Sequence, residues 1–117
     1  EIRMPYCKIT TNISPGEAAC EELLRKASTS VAAVLGKPEQ YVMVAVETGG
    51  RMLFAGSDEP CVFIDLRSIG LPESKTKPLS KELCAVCKET IGVKSDRVYI
   101  AFQSAAGAMW GWNGGTF

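Results

Sequence analysis

The chain has 117 residues, 46% apolar and 22% charged, with 13 basic residues balancing 13 acidic ones and no histidine at all. That makes a single domain with one core, and a net charge of zero supplies no field that would hold nucleic acid or an anionic membrane. Without histidine the chain lacks both the usual base near neutrality and the commonest metal ligand, so any acid–base chemistry must come from another group and no metal or cofactor is expected.

In chain order, Glu1-Ile2-Arg3 precedes a Met4-Pro5 pair that reads as a natural initiator and second residue. Residues 1–4 are therefore expected to be a leader with the initiator methionine, and residues 5–117 the domain. The run from Pro5 to Ile13 is strand-like. Ser14-Pro15-Gly16-Glu17 predicts a helix start, with Ser14 as cap, proline in the first turn and Glu17 closing a capping box. Ala19, Leu23, Leu24, Ala27, Val31 and Leu35 then recur at three- and four-residue spacing, and Gly36 ends the helix ahead of Pro38. "QYVMVAVE" predicts a buried strand, "TGGR" a turn and "MLFAG" a short strand.

"CVFIDLRSI" then predicts a strand, "LSKELCAVCKETIG" a helix ended by Gly92, "RVYIAF" a strand and "AMWGWNG" a terminal strand. A shift of 56 residues lays Ile13 on Ile69, Glu17 on Glu73, Gly36 on Gly92, Val42 on Val98 and Ala45 on Ala101. The expectation is an α/β (α+β) fold of two duplicated βαβ units, a four-stranded sheet with both helices on one face. The strands read as apolar on both faces, and two helices cover only one. A second copy of the chain is expected on the other face.

Five cysteines, Cys7, Cys20, Cys61, Cys84 and Cys87, mostly lie in apolar runs. Cys84-Ala85-Val86-Cys87 matches a redox spacing, but it falls inside a helix, where such thiols pack as small hydrophobes. One such pair without histidine makes zinc an unfavoured alternative. No apolar run approaches the roughly 18 residues of a membrane span and no secretory pattern is present, so the cytoplasm is the expected compartment.

Together, Met4-Pro5, "TN" at 11–12, "GKPEQYVMV" at 36–44, "GSDEPC" at 56–61, "SIG" at 68–70, "DRVYI" at 96–100 and "GWNGGTF" at 111–117 resemble the macrophage migration inhibitory factor family of the tautomerase superfamily. The likeness is collinear from Pro5 to Phe117. It implies a homotrimer whose sheets line a central channel, and a keto–enol tautomerase acting on small aromatic keto/enol acids of the phenylpyruvate and dopachrome type. Pro5, once it is the first residue, would be the general base: an α-amino group already titrates near roughly 7.7–8.0, and an apolar pocket with a nearby cation lowers that value. Lys37 matches the family's active-site lysine, and Ile69 in "SIG", beside Ser68, matches the position whose backbone N–H binds the substrate carboxylate. Tyr99 matches a pocket tyrosine contributed by a neighbouring subunit and Tyr41 one at the pocket rim. Trp110 and Phe117 fall where the family has apolar pocket walls, and aromatic walls suit an aryl substrate.

The likeness also implies cytokine-like signalling through a cell-surface receptor, as an alternative or additional role, and secretion by a signal-peptide-independent route. Two positions depart from mammalian relatives. Ala101 replaces an asparagine, removing a polar contact to substrate, and Tyr6 replaces a smaller or non-phenolic residue and narrows the pocket. The CxxC that relatives associate with thiol chemistry starts here at Cys61 but ends at Ile64, so that activity is not expected.

Overall fold

Each helix has one apolar stripe, and the stripes explain how the layers meet. In the first helix, α1 (Glu17–Leu35), Leu23, Ala27, Val31 and Leu35 are buried; in the second, α2 (Thr76–Ile91), the matching set is Leu79, Leu83, Val86 and Cys87. The helices pack side by side on one face of a four-stranded sheet. This computed structural model describes residues 4–117, so the expected leader at 1–3 lies outside the described residues.

The strands are β1 (Tyr6–Thr11), β2 (Met43–Glu47), β3 (Val62–Ile69) and β4 (Val98–Ala105), ordered β2-β1-β3-β4. β1 runs parallel to β2, β3 runs parallel to β4, and the two pairs meet antiparallel along β1 and β3. That is the duplicated βαβ architecture read from the sequence. Cys7 and Ile9 from β1 and Ile64 and Leu66 from β3 point into the core under the helices and are fully buried.

The duplication carries a refinement. A shift of 56 superposes the helices, Leu23 on Leu79 and Val31 on Cys87, and the second strands, Val44 on Ile100. In the first strands it would put exposed-face Tyr6 on buried Val62. There the correspondence is 57, which sets Cys7 on Ile64, Ile9 on Leu66 and Thr11 on Ser68. Side chains alternate faces with period two, so one residue of difference in a connection is enough to break a uniform shift. The match of Ile13 with Ile69 is thus a coincidence of spacing.

Three local expectations are corrected. α1 is capped by extended Gly16, not Ser14, and no side-chain cap bond forms; Ser14 Oγ lies instead so near Gly49 that a Cβ there would come within 3.1 Å of it. "MLFAG" is not a strand, because Ala55 and Gly56 both take positive φ and fold a tight turn in which Phe54 and Ser57 exchange backbone hydrogen bonds of 3.0 and 3.1 Å. "AMWGWNG" becomes a short 3-10 turn and a hairpin of β5 (Gly111–Trp112) and β6 (Gly115–Thr116). Its Asn113-Gly114 turn has both residues at positive φ, as a two-residue hairpin requires.

The outer sheet face is also more polar than expected. Its rows read Met43–Tyr6–Arg67–Gln103, Ala45–Lys8–Asp65–Ala101 and Glu47–Thr10–Phe63–Tyr99. The end rows carry the large apolar side chains, and the charged middle row ties into both of them, Lys8 pairing with Glu47 at 3.5 Å and Asp65 with Arg67 at 2.9 Å. Among the described residues no helix is long and apolar enough to cross a membrane.

Candidate active site

Pro5 sits just ahead of β1, where a residue without an N–H takes nothing from the ladder. Its carbonyl accepts a 2.9 Å hydrogen bond from the N–H of Met43, and its ring is fully buried. It opens onto a cavity of about 460 Å³ lined by aromatic and apolar side chains: Tyr6, Tyr41, Met43, Trp110 and Trp112 form much of the wall, with Met4, Met109, Gly111 and Arg67 completing it. Tyr41 arrives from the 3-10 turn Glu39–Tyr41 that precedes β2. The tryptophans arrive on the C-terminal hairpin, which Phe117 secures by donating its N–H to Gly107 (3.1 Å) and stacking on Trp112 with centroids 5.9 Å apart. Gly107 is required there, since a Cβ would meet the backbone of Phe117 at 3.0 Å.

Of the sequence-predicted site residues, the fold gathers Pro5, Tyr6, Tyr41 and Trp110 around one cavity. Phe117 stands behind the wall, through Trp112. Lys37 follows the αL residue Gly36, its N–H bonded to Ala32 at 3.0 Å, and is not among the lining residues. Ile69 ends β3 with a buried side chain, and Gly70 after it turns with φ 58° and donates to the Ala105 carbonyl. Ser68 is completely buried, and its Oγ has no hydrogen-bond partner among the described residues. Extending the β1–β3 register by one step sets it opposite Pro5.

Tyr99 is elsewhere. It lies in the row of Thr10 and Phe63, and Thr10 is five residues beyond Pro5, roughly 16 Å along the strand at about 3.3 Å per residue. It is 62% exposed and rests on Phe54, centroids 4.6 Å apart.

Sequence reasoning missed Met43, Arg67, Met109 and Trp112. For Arg67 the signal was available: period two from Tyr6 and the antiparallel pairing bring residue 67 beside residue 6. Asp65 anchors its guanidinium, with Nη2 2.9 Å and Nε 3.3 Å from the carboxylate, and this hydrogen bond raises an already high pKa, so the cation is permanent.

A larger cavity of about 660 Å³ lies between Asn12, Gly50, Arg51, Met52, Leu53 and Asp58. It is less suited to chemistry, because the amide of Asn12 is fully engaged: Nδ2 donates to the carbonyls of Asp58 and Glu59, and Oδ1 accepts from Cys61 N–H. The thiols are likewise quiet. Burial pushes Cys87 up to about 12 and also raises Cys84, so neither half of the CxxC offers a thiolate at neutral pH. Among the described residues no group of three or more Cys, Asp or Glu side chains is arranged to hold a metal.

A family model described as "Macrophage migration inhibitory factor (MIF)" matches residues 4–117. The chain is 36% identical to macrophage migration inhibitory factor of Meriones unguiculatus, covering 97% of this chain and 99% of the relative. It is 38% identical to the homolog of Brugia malayi over the same shares. The crystal structure of the homologue from Prochlorococcus marinus superposes with a TM-score of 0.89 at 36% identity, over 96% of this chain and 98% of that one. A structure described as Pt0534 inactivated by 2-oxo-3-pentynoate superposes with a TM-score of 0.85 at 25% identity, over 94% and 93%. A duplicated βαβ fold with this cavity at its proline end, matched over nearly the whole length by these relatives, makes the chain a member of the macrophage migration inhibitory factor family.

Proposed function

We propose that the chain is a keto–enol tautomerase for small aromatic keto/enol acids of the phenylpyruvate and dopachrome type, with Pro5 as general base. The carrying observation is that Pro5 lies buried at a cavity with aromatic walls and one permanent cation. As an amide behind Met4 its nitrogen has no basic lone pair. As the first residue it is a secondary amine in apolar surroundings beside Arg67, conditions that favour the neutral form. That amine removes a proton from the carbon next to the substrate carbonyl, the electron pair moves to oxygen as the enolate, and the prolinium returns the proton to that oxygen. The reverse sequence regenerates the ketone, with general-base catalysis contributing about 10²- to 10⁴-fold.

Met4 itself lines the cavity, so its removal both frees the amine and widens the space for an aryl ring. Lys37 and the Ile69 N–H would hold the carboxylate or the enolate oxygen, and Ser68 Oγ, buried with no partner among the described residues, would offer one more hydrogen bond opposite Pro5. Exposed Tyr99 and Phe63 at one end of the sheet, and Met43 and Trp112 at the other, favour assembly as a homotrimer in which Tyr99 of one copy completes the Pro5 cavity of the next. A 2-oxo acid inactivates the Pt0534 structure named above, which supports a 2-oxo acid substrate here. A cytokine-like signalling role is a separate reading, supported only by the relatives' description as macrophage migration inhibitory factors.

The test compares turnover of phenylpyruvate by a chain beginning at Pro5 and one retaining Met4. The former is expected to be active and the latter at least about 100-fold slower, the scale of a lost general base. Equal rates would overturn the amine mechanism. Sedimentation of a monomer at micromolar concentration would overturn the shared cavity.

A further inference from the structure

Arg67 is the one charged side chain among the described residues lining the Pro5 cavity; no carboxylate lines it. Arginine presents five N–H donors on a planar fork with two usable edges. Asp65, two residues earlier on the same face, occupies the side edge: Nε is 3.3 Å from both carboxylate oxygens and Nη2 is 2.9 Å from Oδ2. The outer edge, Nη1 with the second Nη2 proton, makes no hydrogen bond among the described residues. The side chain is half exposed, at 49%, and rotation of its guanidinium is limited by the two-point grip of Asp65. The neighbouring Lys8–Glu47 pair makes a useful contrast, since it is longer at 3.5 Å and neither residue lines the cavity.

A fixed cation with a two-donor edge that no described residue occupies, beside aromatic walls, suits a carboxylate carried by an aryl or alkyl chain. We propose that Arg67 is a specificity-determining residue whose outer edge binds the carboxylate of the keto/enol acid, selecting the free acid over neutral esters and amides. Asp65 is then a positioning residue that keeps this edge turned outward. The inference rests on the reading of the Pro5 cavity as the active site, and it adds an anchor that neither Lys37 nor Ile69 supplies from within this cavity.

The experiment uses the chain beginning at Pro5 and two readouts. In R67Q, measured at a pH above the Pro5 inflection of both forms, the KM for phenylpyruvate is expected to rise by about 10- to 100-fold, the weight of a hydrogen-bonded charge pair, with a far smaller change in kcat. The KM for its methyl ester is expected to stay where it was. Without turnover, quenching of Trp110 and Trp112 by 3-phenylpropionate should weaken by the same factor, while 3-phenylpropionamide binds both forms alike. R67K should recover part of the discrimination through its charge, and D65N should lose part of it while keeping the cation. Acid and ester affected equally, or neither affected, would overturn the assignment. If the parent chain turns over neither substrate yet R67Q still weakens only the acid analogue, the proline-base reading fails and the Arg67 site stands. If the parent is active and R67Q is indifferent, the Arg67 site fails alone.

Discussion

At the end of β1 the molecule is stitched shut, and at the corresponding end of β3 it is left open. Thr11 Oγ1 donates to the Cys61 carbonyl at 2.8 Å, and Asn12 holds Asp58, Glu59 and Cys61 through all of its amide atoms. Arg97 adds bonds to the carbonyls of Phe54, Ser57, Glu59 and Pro60 while its guanidinium lies 5.0 Å over the Phe54 ring. Under the 57-residue correspondence of the first strands, Thr11 matches Ser68 and Cys61 matches Met4. Yet Ser68 Oγ has no partner among the described residues, and the β1–β3 register sets it opposite Pro5, whose cavity it does not itself line. A duplicated unit thus has one end built for stability and another that leaves a buried polar group unsatisfied. Such an orphan is costly and calls for an explanation, and a binding site is one.

The largest expected effect falls on the closed end. Arg97→Ala should lower stability by about 2–3 kcal/mol, since several charge-assisted bonds to carbonyls are lost together. Urea unfolding midpoints measure this, and a loss below about 0.5 kcal/mol would mean the 54–61 loop is held by something else.

Next comes the seam between the halves, where buried Cys87 of α2 adds to the upward shift of buried Cys7 of β1. Burial pushes both thiols from the ordinary 9.0 up to about 12. The folded pKa is the higher one, so their contribution is fully present below pH 9 and declines as the unfolded chain ionises first. Between pH 8 and 9.5 the fall should be on the order of 1 kcal/mol per thiol. Urea midpoints across that range should drop in the parent and hold flatter in a Cys7→Ala, Cys87→Ala double variant. The same slope in both would reject the thiols as its source.

The smallest effect, at Ser68, belongs to the sharpest test of the comparison. Thr11→Val should cost about 1–2 kcal/mol by leaving the Cys61 carbonyl unpaired, whereas Ser68→Ala in a chain retaining Met4 should cost nothing or stabilise slightly. Equal losses at the two positions would erase the distinction between the ends.

Much of this was legible in the sequence because it depends on period and punctuation. Helix stripes at 3.6 residues, αL glycines at 36 and 92, and β-branched strands fix two βαβ units almost by themselves. What escaped depends on pairing across the chain. The face swap between a 56- and a 57-residue correspondence is invisible until β1 and β3 are set in register. Arg67 becomes a cavity residue only when that register puts it beside Tyr6. The charged middle of the outer sheet face was hidden for a similar reason, since alternation was read as uniformly apolar where Asp65, Arg67 and Gln103 in fact share that face. At Asn113-Gly114 the signal was present as a hairpin turn and was read as part of a strand. The resemblance named Pro5, Tyr6, Tyr41 and Trp110 together, and the fold gathers these four around one cavity, whereas one chain alone keeps Tyr99 far from Pro5.

The central claim is that the open end works through the Pro5 amine, and the pH dependence of kcat/KM for a chain beginning at Pro5 tests it most directly. An acid limb with its inflection below the roughly 7.7–8.0 of an ordinary α-amino group is the predicted result, because the cavity is apolar and Arg67 adds a positive field. A rate that stays level from pH 5 to pH 8, or that survives acetylation of the Pro5 nitrogen, would contradict it.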